Sequence, residues 1–311
     1  MKPSQNSYVT LAIVVAMMLA GACQSGQKRS PVLIEDLDEL SSNAGIKSFN
    51  QIIHLYPSPA EMLSVIDMSK LNFDASLLNP LDRADQYIDS QLKTYALGIY
   101  MTDLAYTALF LRHEESLNYL EVVKSLAADI NINEAVDEAM IEKVRNNVEY
   151  LDSLYNISNE AFINVLSFCE RNEKPNTVVM LSAGAFLESL YLAVHMVDDY
   201  ESADMLLQHL ADQKYTIDNF MLFANSLETD DLNVIATLKD FEKLKIIYDG
   251  IKPGTGGVTV KTSEDADENQ PKKLVIGGTG KASQPSLTEE EFESLKAVVI
   301  EMRNKAVSIN Q

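Results

Sequence analysis

Apolar residues recur along most of this chain at the spacing of an α-helix. From Asn79–Pro80 onward, one stripe predicts a helix of about eight turns, formed by Ala84, Tyr87, Ile88, Gln91, Leu92, Tyr95, Ile99, Leu104, Ala108 and Leu111. Similar stripes predict helices over 117–127, 136–154, 157–171, 177–197, 203–223 and 232–248. Alternating runs, which would indicate strands, are nearly absent. The pattern therefore predicts an all-α multi-helix bundle of about eight helices.

Two capping motifs mark the start of predicted helices. Ser58 is followed by Pro59 and Glu61, so that the serine hydroxyl can accept the Glu61 amide while the Glu61 side chain reaches back. Thr288 and Glu291 have the same spacing before the closing helix, whose apolar stripe is Phe292, Leu295, Val298, Val299 and Met302. Both helix starts are therefore predicted from local sequence.

The segment 177–197 is apolar nearly all round and contains Gly184 in its middle. A helix without a polar face belongs at the centre of a bundle. Glycine inside a helix costs about 1 kcal/mol relative to alanine. That loss is explained if another backbone passes close to Gly184.

The composition changes sharply between the last two predicted helices. Residues 252–286 contain two glycine clusters, at 254–257 and 277–280, and an acidic run at 264–268. Glycine raises the entropy cost of ordering a segment, and like charges repel one another. We expect a long, mobile, glycine-rich acidic loop here.

Residues 1–22 have the features of a secretory signal peptide. Lys2 gives a charged start, an apolar run spans 8–19, and small residues at 20–22 precede Cys23. The run is shorter than the roughly 20 residues that span a bilayer. The arrangement resembles the lipobox of bacterial lipoproteins, with Ala20 at the position where leucine is usual. This resemblance implies lipidation at Cys23. The polar residues that follow, with Gly26, predict a flexible tether, so that 23–34 comprise the lipidated cysteine and tether and 35–311 a single helical domain.

The formal net charge of −21 restricts the classes of partner. Such an excess of carboxylates repels phosphate, which argues against nucleic acid and against adsorption to anionic lipid. Membrane attachment is therefore expected through the lipid on Cys23, with a protein partner in the envelope as an open possibility. By the lipoprotein resemblance, Gln24 and the basic pair Lys28–Arg29 favour the outer membrane and a periplasm-facing domain, with surface exposure as the alternative.

The region from Ser58 to the end resembles all-helical lipoproteins of Bacteroidetes. The resemblance rests on residues 95–106, the helix that contains Tyr119–Leu120, residues 184–191 and residues 302–304. It implies an all-helical envelope protein. It transfers neither a reaction nor a catalytic residue.

Glu188, Tyr191 and His195 fall at positions i, i+3 and i+7, so they lie along one helix face. With a partner helix, this set could hold a metal ion, as in carboxylate-bridged bundles. Those bundles use paired Glu-x-x-His elements, which this chain lacks. A satisfied interior network is the favoured interpretation, and a carboxylate and histidine metal-dependent enzyme is the alternative.

Tyr95, Tyr100, Asp103 and Tyr106 place an acid among phenols on the long helix. A buried aspartate needs hydrogen-bond donors, so the favoured interpretation is a polar clamp that fixes helix register, and a ligand site is the alternative. No nucleophile motif or zinc motif occurs in the sequence. We therefore expect a non-enzymatic binding or scaffolding lipoprotein, without a cofactor, whose candidate ligand residues are Tyr95, Asp103, Tyr106, Glu188, Tyr191 and His195.

Overall fold

The computed structural model describes residues 57–64, 71–136, 138–146, 151–251 and 287–308, all within one compact unit. These ranges contain nine α-helices and no strand: α1 (Pro59–Ser64), α2 (Ser90–Leu109), α3 (His113–Asp129), α4 (Glu138–Asn146), α5 (Leu151–Arg171), α6 (Pro175–His195), α7 (Asp204–Asn225), α8 (Leu232–Gly250) and α9 (Glu289–Val307). The predicted all-α multi-helix bundle is confirmed. The predicted signal peptide, Cys23, the tether and the loop at 252–286 lie outside the described residues.

The predicted capping motifs form at both helices. The Ser58 amide donates to the Glu61 carboxylate at 2.9 Å, and the Glu61 amide donates to the Ser58 hydroxyl at 3.1 Å. At α9, Thr288 and Glu291 make the same reciprocal pair at 2.8 and 3.2 Å. Both starts are confirmed because a capping box requires only residues three positions apart.

Helix α2 begins later than its apolar stripe predicts. Residues Leu81–Gln86 form a 3₁₀ turn, and Tyr87 is extended. The Asp89 carboxylate accepts the amides of Gln91 and Leu92 at 2.8 and 3.1 Å, so that Asp89 caps the new helix. The prediction of one continuous helix from Asn79 was therefore wrong in its first part.

Helices α2 and α6 form the centre of the bundle and touch through their backbones. A Cβ atom on Gly98 would lie 2.1 Å from the Leu181 carbonyl oxygen, and one on Gly184 would lie 2.0 Å from the Tyr95 carbonyl oxygen. The expected close backbone at Gly184 is therefore confirmed. The Thr102 hydroxyl, which donates to the Ala185 carbonyl at 3.2 Å, adds a polar tie at the same crossing.

Helix α6 is also the one helix in the described ranges whose length and composition would suit a membrane span. However, 94% of its apolar window is buried within the bundle. A core helix passes the same test of length and hydropathy. Its apolar surface is thus accounted for by packing against the helices around it.

Candidate functional site

Asp103 lies on α2 in the interior, where it is fully buried. One of its carboxylate oxygens accepts the Asn79 amide at 3.0 Å. The Tyr119 hydroxyl donates to the Asn79 carbonyl at 2.9 Å, and the Tyr100 hydroxyl donates to the Pro80 carbonyl at 2.7 Å. Together these side chains hold the segment before α2 against the bundle.

Glu188 of α6 is fully buried and pairs with Arg303 of α9, which is 7% exposed. The Arg303 Nε and Nη2 atoms donate to the two Glu188 oxygens at 3.2 and 3.1 Å, and Nη2 also donates to the Leu77 carbonyl at 3.1 Å. Two parallel bonds make this a strong, directional ion pair. It joins α6, α9 and the segment before α2.

Asp103, Glu188 and Arg303 form what we call the carboxylate cluster. Burial raises the pKa of Asp103 well above its usual value, and the charge of Glu188 adds to that shift. Burial also raises the pKa of Glu188, which Arg303 opposes. The second Asp103 oxygen is buried and has no hydrogen-bond partner among the residues that the structure describes. The cluster thus brings one guanidinium and two carboxyl groups together in the interior.

Tyr191 and His195 continue the predicted face of α6. The Arg303 guanidinium lies 4.5 Å from the centre of the Tyr191 ring, and the His195 ring lies 4.3 Å from the same ring. His195 Nδ1 donates to the Tyr191 carbonyl at 2.7 Å. Glu188 and Tyr191 therefore both meet Arg303, whereas His195 contacts Tyr191.

No three histidine, cysteine, aspartate or glutamate side chains gather in a possible metal site within the described part of the chain. Moreover, both oxygens of Glu188 already accept hydrogen bonds from Arg303. A metal ion at Glu188 would have to displace the guanidinium. The geometry therefore favours an interior ion pair at this position.

Tyr106 does not join the other candidate residues. Its hydroxyl accepts the Asp74 amide at 3.2 Å, and its ring stacks with Phe73 and Phe110 at centroid distances of 5.5 and 4.8 Å. Tyr106 therefore holds the segment before the 3₁₀ turns against α2. This contact resembles the roles of Tyr100 and Tyr119.

Tyr95 lines a half-open cavity of about 770 Å³ between the start of α2, the first half of α8 and the end of α9. Its apolar lining comprises Tyr87, Ile88, Leu92, Tyr95, Ala236, Met302 and Ala306. Its polar lining comprises Gln86, Asp89, Ser90, Asn233, Thr237, Asp240, Lys305 and Ser308. The volume and the mixed lining are those of small-molecule sites.

The cavity and the carboxylate cluster share a wall. Tyr87 lines the cavity with its ring, and its hydroxyl accepts the Asn79 side-chain amide at 3.4 Å. Met302 lines the cavity, whereas the next residue, Arg303, belongs to the cluster. Asn79 in turn donates to Asp103. The cluster therefore stabilises the back of the cavity.

Sequence reasoning missed Arg303 and Asp240. A usable signal existed for Arg303, because it lies four residues after Val299 on the apolar stripe of α9, where a charge requires a buried partner. Asp240 gave no such signal, since its place in the cavity depends on how α8 packs against α2 and α9. Candidate residues that share one helix can be recognised from their spacing in the sequence. Candidate residues that come from several helices cannot, because their spacing does not show that they meet.

No protein-family model, no curated protein and no solved structure matches this chain. A function must therefore be inferred from the cavity and the carboxylate cluster themselves.

Proposed function

We propose that this chain is a lipid-anchored lipoprotein of the outer membrane that binds a ligand without transforming it, with its helical domain on the periplasmic side. The single observation that carries the proposal is the half-open cavity between α2, α8 and α9. It has the size of a small-molecule site and combines aromatic rings with polar groups at its edge. A scaffolding role alone would not require such a cavity.

The positions of the acids favour binding over catalysis. Asp103 and Glu188 are sealed in the interior, so a molecule in the cavity cannot contact them. The two acids of the lining, Asp89 and Asp240, already accept hydrogen bonds from neighbouring side chains. A general acid or base must lie within hydrogen-bond reach of the reacting group. Asp103 and Glu188 are out of that reach, and the two lining acids are engaged by Asn233 and Lys305.

The anchor part of the proposal rests on the segment before Cys23 and has a matched control within the chain. Cys169 is the other cysteine; it is fully buried, and burial raises the pKa of its thiol to about 11. Cells that express the Cys23→Ser variant should incorporate no labelled palmitate into the protein. The Cys169→Ser variant should be labelled like the wild type. Labelling of Cys23→Ser at the wild-type level would contradict lipid anchoring at this residue.

Binding is tested on the full lipidated chain held on phosphatidylcholine vesicles. The probes are 1-hexanol, hexanoate and hexyltrimethylammonium, and the readout is the unfolding temperature by calorimetry. At least one probe should raise the unfolding temperature of the wild type by about 2–5 °C, by linkage of binding to folding.

Ala236→Trp is the control, because it adds bulk at an exposed position of the cavity lining. Effects of the probes on the vesicles are shared by both proteins, so the difference between them reports the cavity. The binding proposal would be refuted if the probes raised the unfolding temperature of the wild type and of Ala236→Trp equally. It would also be refuted if no probe raised the unfolding temperature of the wild type.

A further inference from the structure

Resting on the proposed function, we infer the chemical class of the ligand: an uncharged molecule with an apolar body and one oxygen acceptor, which receives a hydrogen bond from the Tyr95 hydroxyl. An alcohol, an ester carbonyl or an amide carbonyl supplies such an acceptor.

The Tyr95 hydroxyl has no hydrogen-bond partner among the residues that the structure describes. The residue is only 8% exposed, it lines the cavity, and its hydroxyl bonds to no other residue that the structure describes. Burial, together with the charges of Asp240 and Glu188, raises the pKa of Tyr95, so the hydroxyl stays protonated. A largely buried hydroxyl gains most from an acceptor that a ligand brings.

Anions are disfavoured by the charges around the cavity. The charged residues of the lining are Asp89, Asp240 and Lys305, so that acids outnumber bases two to one. The amino ends of α2 and α8, which would otherwise attract an anion, are already capped. Asp89 accepts the first amides of α2, and Asp231 accepts the Asn233 and Val234 amides of α8 at 2.9 and 3.2 Å.

Cations are disfavoured because neither acid of the lining is left open. Asp89 accepts the Asn233 side-chain amide at 2.9 Å in addition to its capping bonds. Asp240 pairs with Lys305 and lies 3.5 Å from the Lys243 ammonium. A cationic ligand would have to displace one of these donors before it gained a counter-ion.

The lining favours an apolar body. Tyr87, Leu92, Met302 and Ala306 are apolar residues of the lining. Ile88 belongs to the lining too and is 91% exposed. Exposed apolar surface around a cavity is typical of a binding site.

The donor is held in place by the core. The Tyr95 carbonyl oxygen lies where a Cβ atom on Gly184 would be, so α2 and α6 cannot slide at this point. Tyr95 is itself only 8% exposed, so packing confines its ring before any ligand binds. That preorganisation lowers the entropy cost of binding.

The experiment uses the same vesicle-bound chain and ranks the three hexyl probes by how much each raises its unfolding temperature. The expected result is that 1-hexanol stabilises the wild type more than hexanoate or hexyltrimethylammonium does. Tyr95→Phe should weaken hexanol binding about 3- to 10-fold, the value of one hydrogen bond. Tyr215→Phe, on the exposed face of α7 and outside the cavity, should leave the affinity unchanged.

Each other outcome has one meaning. A larger shift with either charged probe, abolished by Ala236→Trp, would keep the binding function and overturn the uncharged ligand. Equal hexanol affinity in wild type and Tyr95→Phe would overturn the role of the hydroxyl. The absence of any cavity-dependent shift would overturn the proposed function itself.

Discussion

The carboxylate cluster and the cavity are neighbouring polar regions with opposite properties. In the cluster, Asp103 and Glu188 are fully buried and their hydrogen-bond partners come from the protein. In the cavity, the charged groups remain partly exposed, and no described residue bonds to the Tyr95 hydroxyl. A buried polar network whose partners come from the protein specifies a fold, whereas a half-open site with an unused donor can meet a ligand. The difference separates structural acids from candidate binding groups.

Removal of Arg303 should have the largest effect, because it breaks the cluster. Arg303→Met leaves Glu188 buried without its counter-ion and should lower the free energy of unfolding by about 3–5 kcal/mol. The measurement is urea unfolding followed by circular dichroism. The double variant Arg303→Met with Glu188→Gln should recover part of the loss, because no buried charge is left unpaired.

A surface ion pair serves as the comparison for Arg303. Lys124 pairs with Glu138 where both side chains are about a third exposed or more. Lys124→Met should therefore cost less than about 1 kcal/mol. Equal losses for Arg303→Met and Lys124→Met would show that the buried pair does not hold α9 in place.

A methyl group at Gly184 should damage the core behind the cavity. In Gly184→Ala, the new Cβ would lie 2.0 Å from the Tyr95 carbonyl, so α2 and α6 must separate, at a cost of about 1–3 kcal/mol or more. Gly250→Ala is the matched control, since nothing lies within 4 Å of its Cβ. Thermal unfolding should show a loss for the first variant and no loss for the second.

Asp103 should make stability depend on pH in the direction opposite to that of an ordinary surface acid. Its pKa is raised in the folded state, so folding takes up a proton above the unfolded value of 3.8. Stability should therefore fall as the pH rises above about 4, until the folded-state pKa is passed, by about 1.4 kcal/mol for each unit between the two pKa values.

Asp103→Asn should reduce that decline, because the amide does not titrate and its oxygen can still accept the Asn79 amide. Urea unfolding from pH 4 to pH 9 measures both proteins. The other ionisable groups facing Asp103, namely Glu188, Arg303 and Tyr119, are unchanged in the variant. A decline of equal slope in both proteins would assign it to another group.

The smallest expected difference in the free energy of unfolding is between the phenylalanine variants of two tyrosines on α2. Tyr100→Phe loses the bond to the Pro80 carbonyl and should cost about 1 kcal/mol. Tyr95→Phe loses no bond within the described protein and should leave the free energy of unfolding nearly unchanged. Equal costs in urea unfolding would mean that Tyr95 is a structural residue like Tyr100, and the contrast between cluster and cavity would weaken.

Local sequence was sufficient wherever a few neighbouring residues decide the structure. The capping boxes at Ser58 and Thr288 were predicted because their hydrogen bonds join residues three apart. Local sequence was not sufficient at the start of α2. The apolar stripe continues through the 3₁₀ turn, but the Asp89 side chain caps a new helix after it. Periodicity reports which face is apolar, and a capping side chain can stop a helix within that pattern.

The sequence by itself determined the all-α class, the buried centre at 177–197 and the close approach at Gly184, because these follow from helical period and residue size. Only the tertiary structure decided that the close backbone belongs to Tyr95, that Glu188 meets Arg303, and that α2, α8 and α9 enclose a cavity. Glu188 and Arg303 lie 115 residues apart. Such contacts depend on how whole helices pack, and no local pattern in the chain encodes that arrangement.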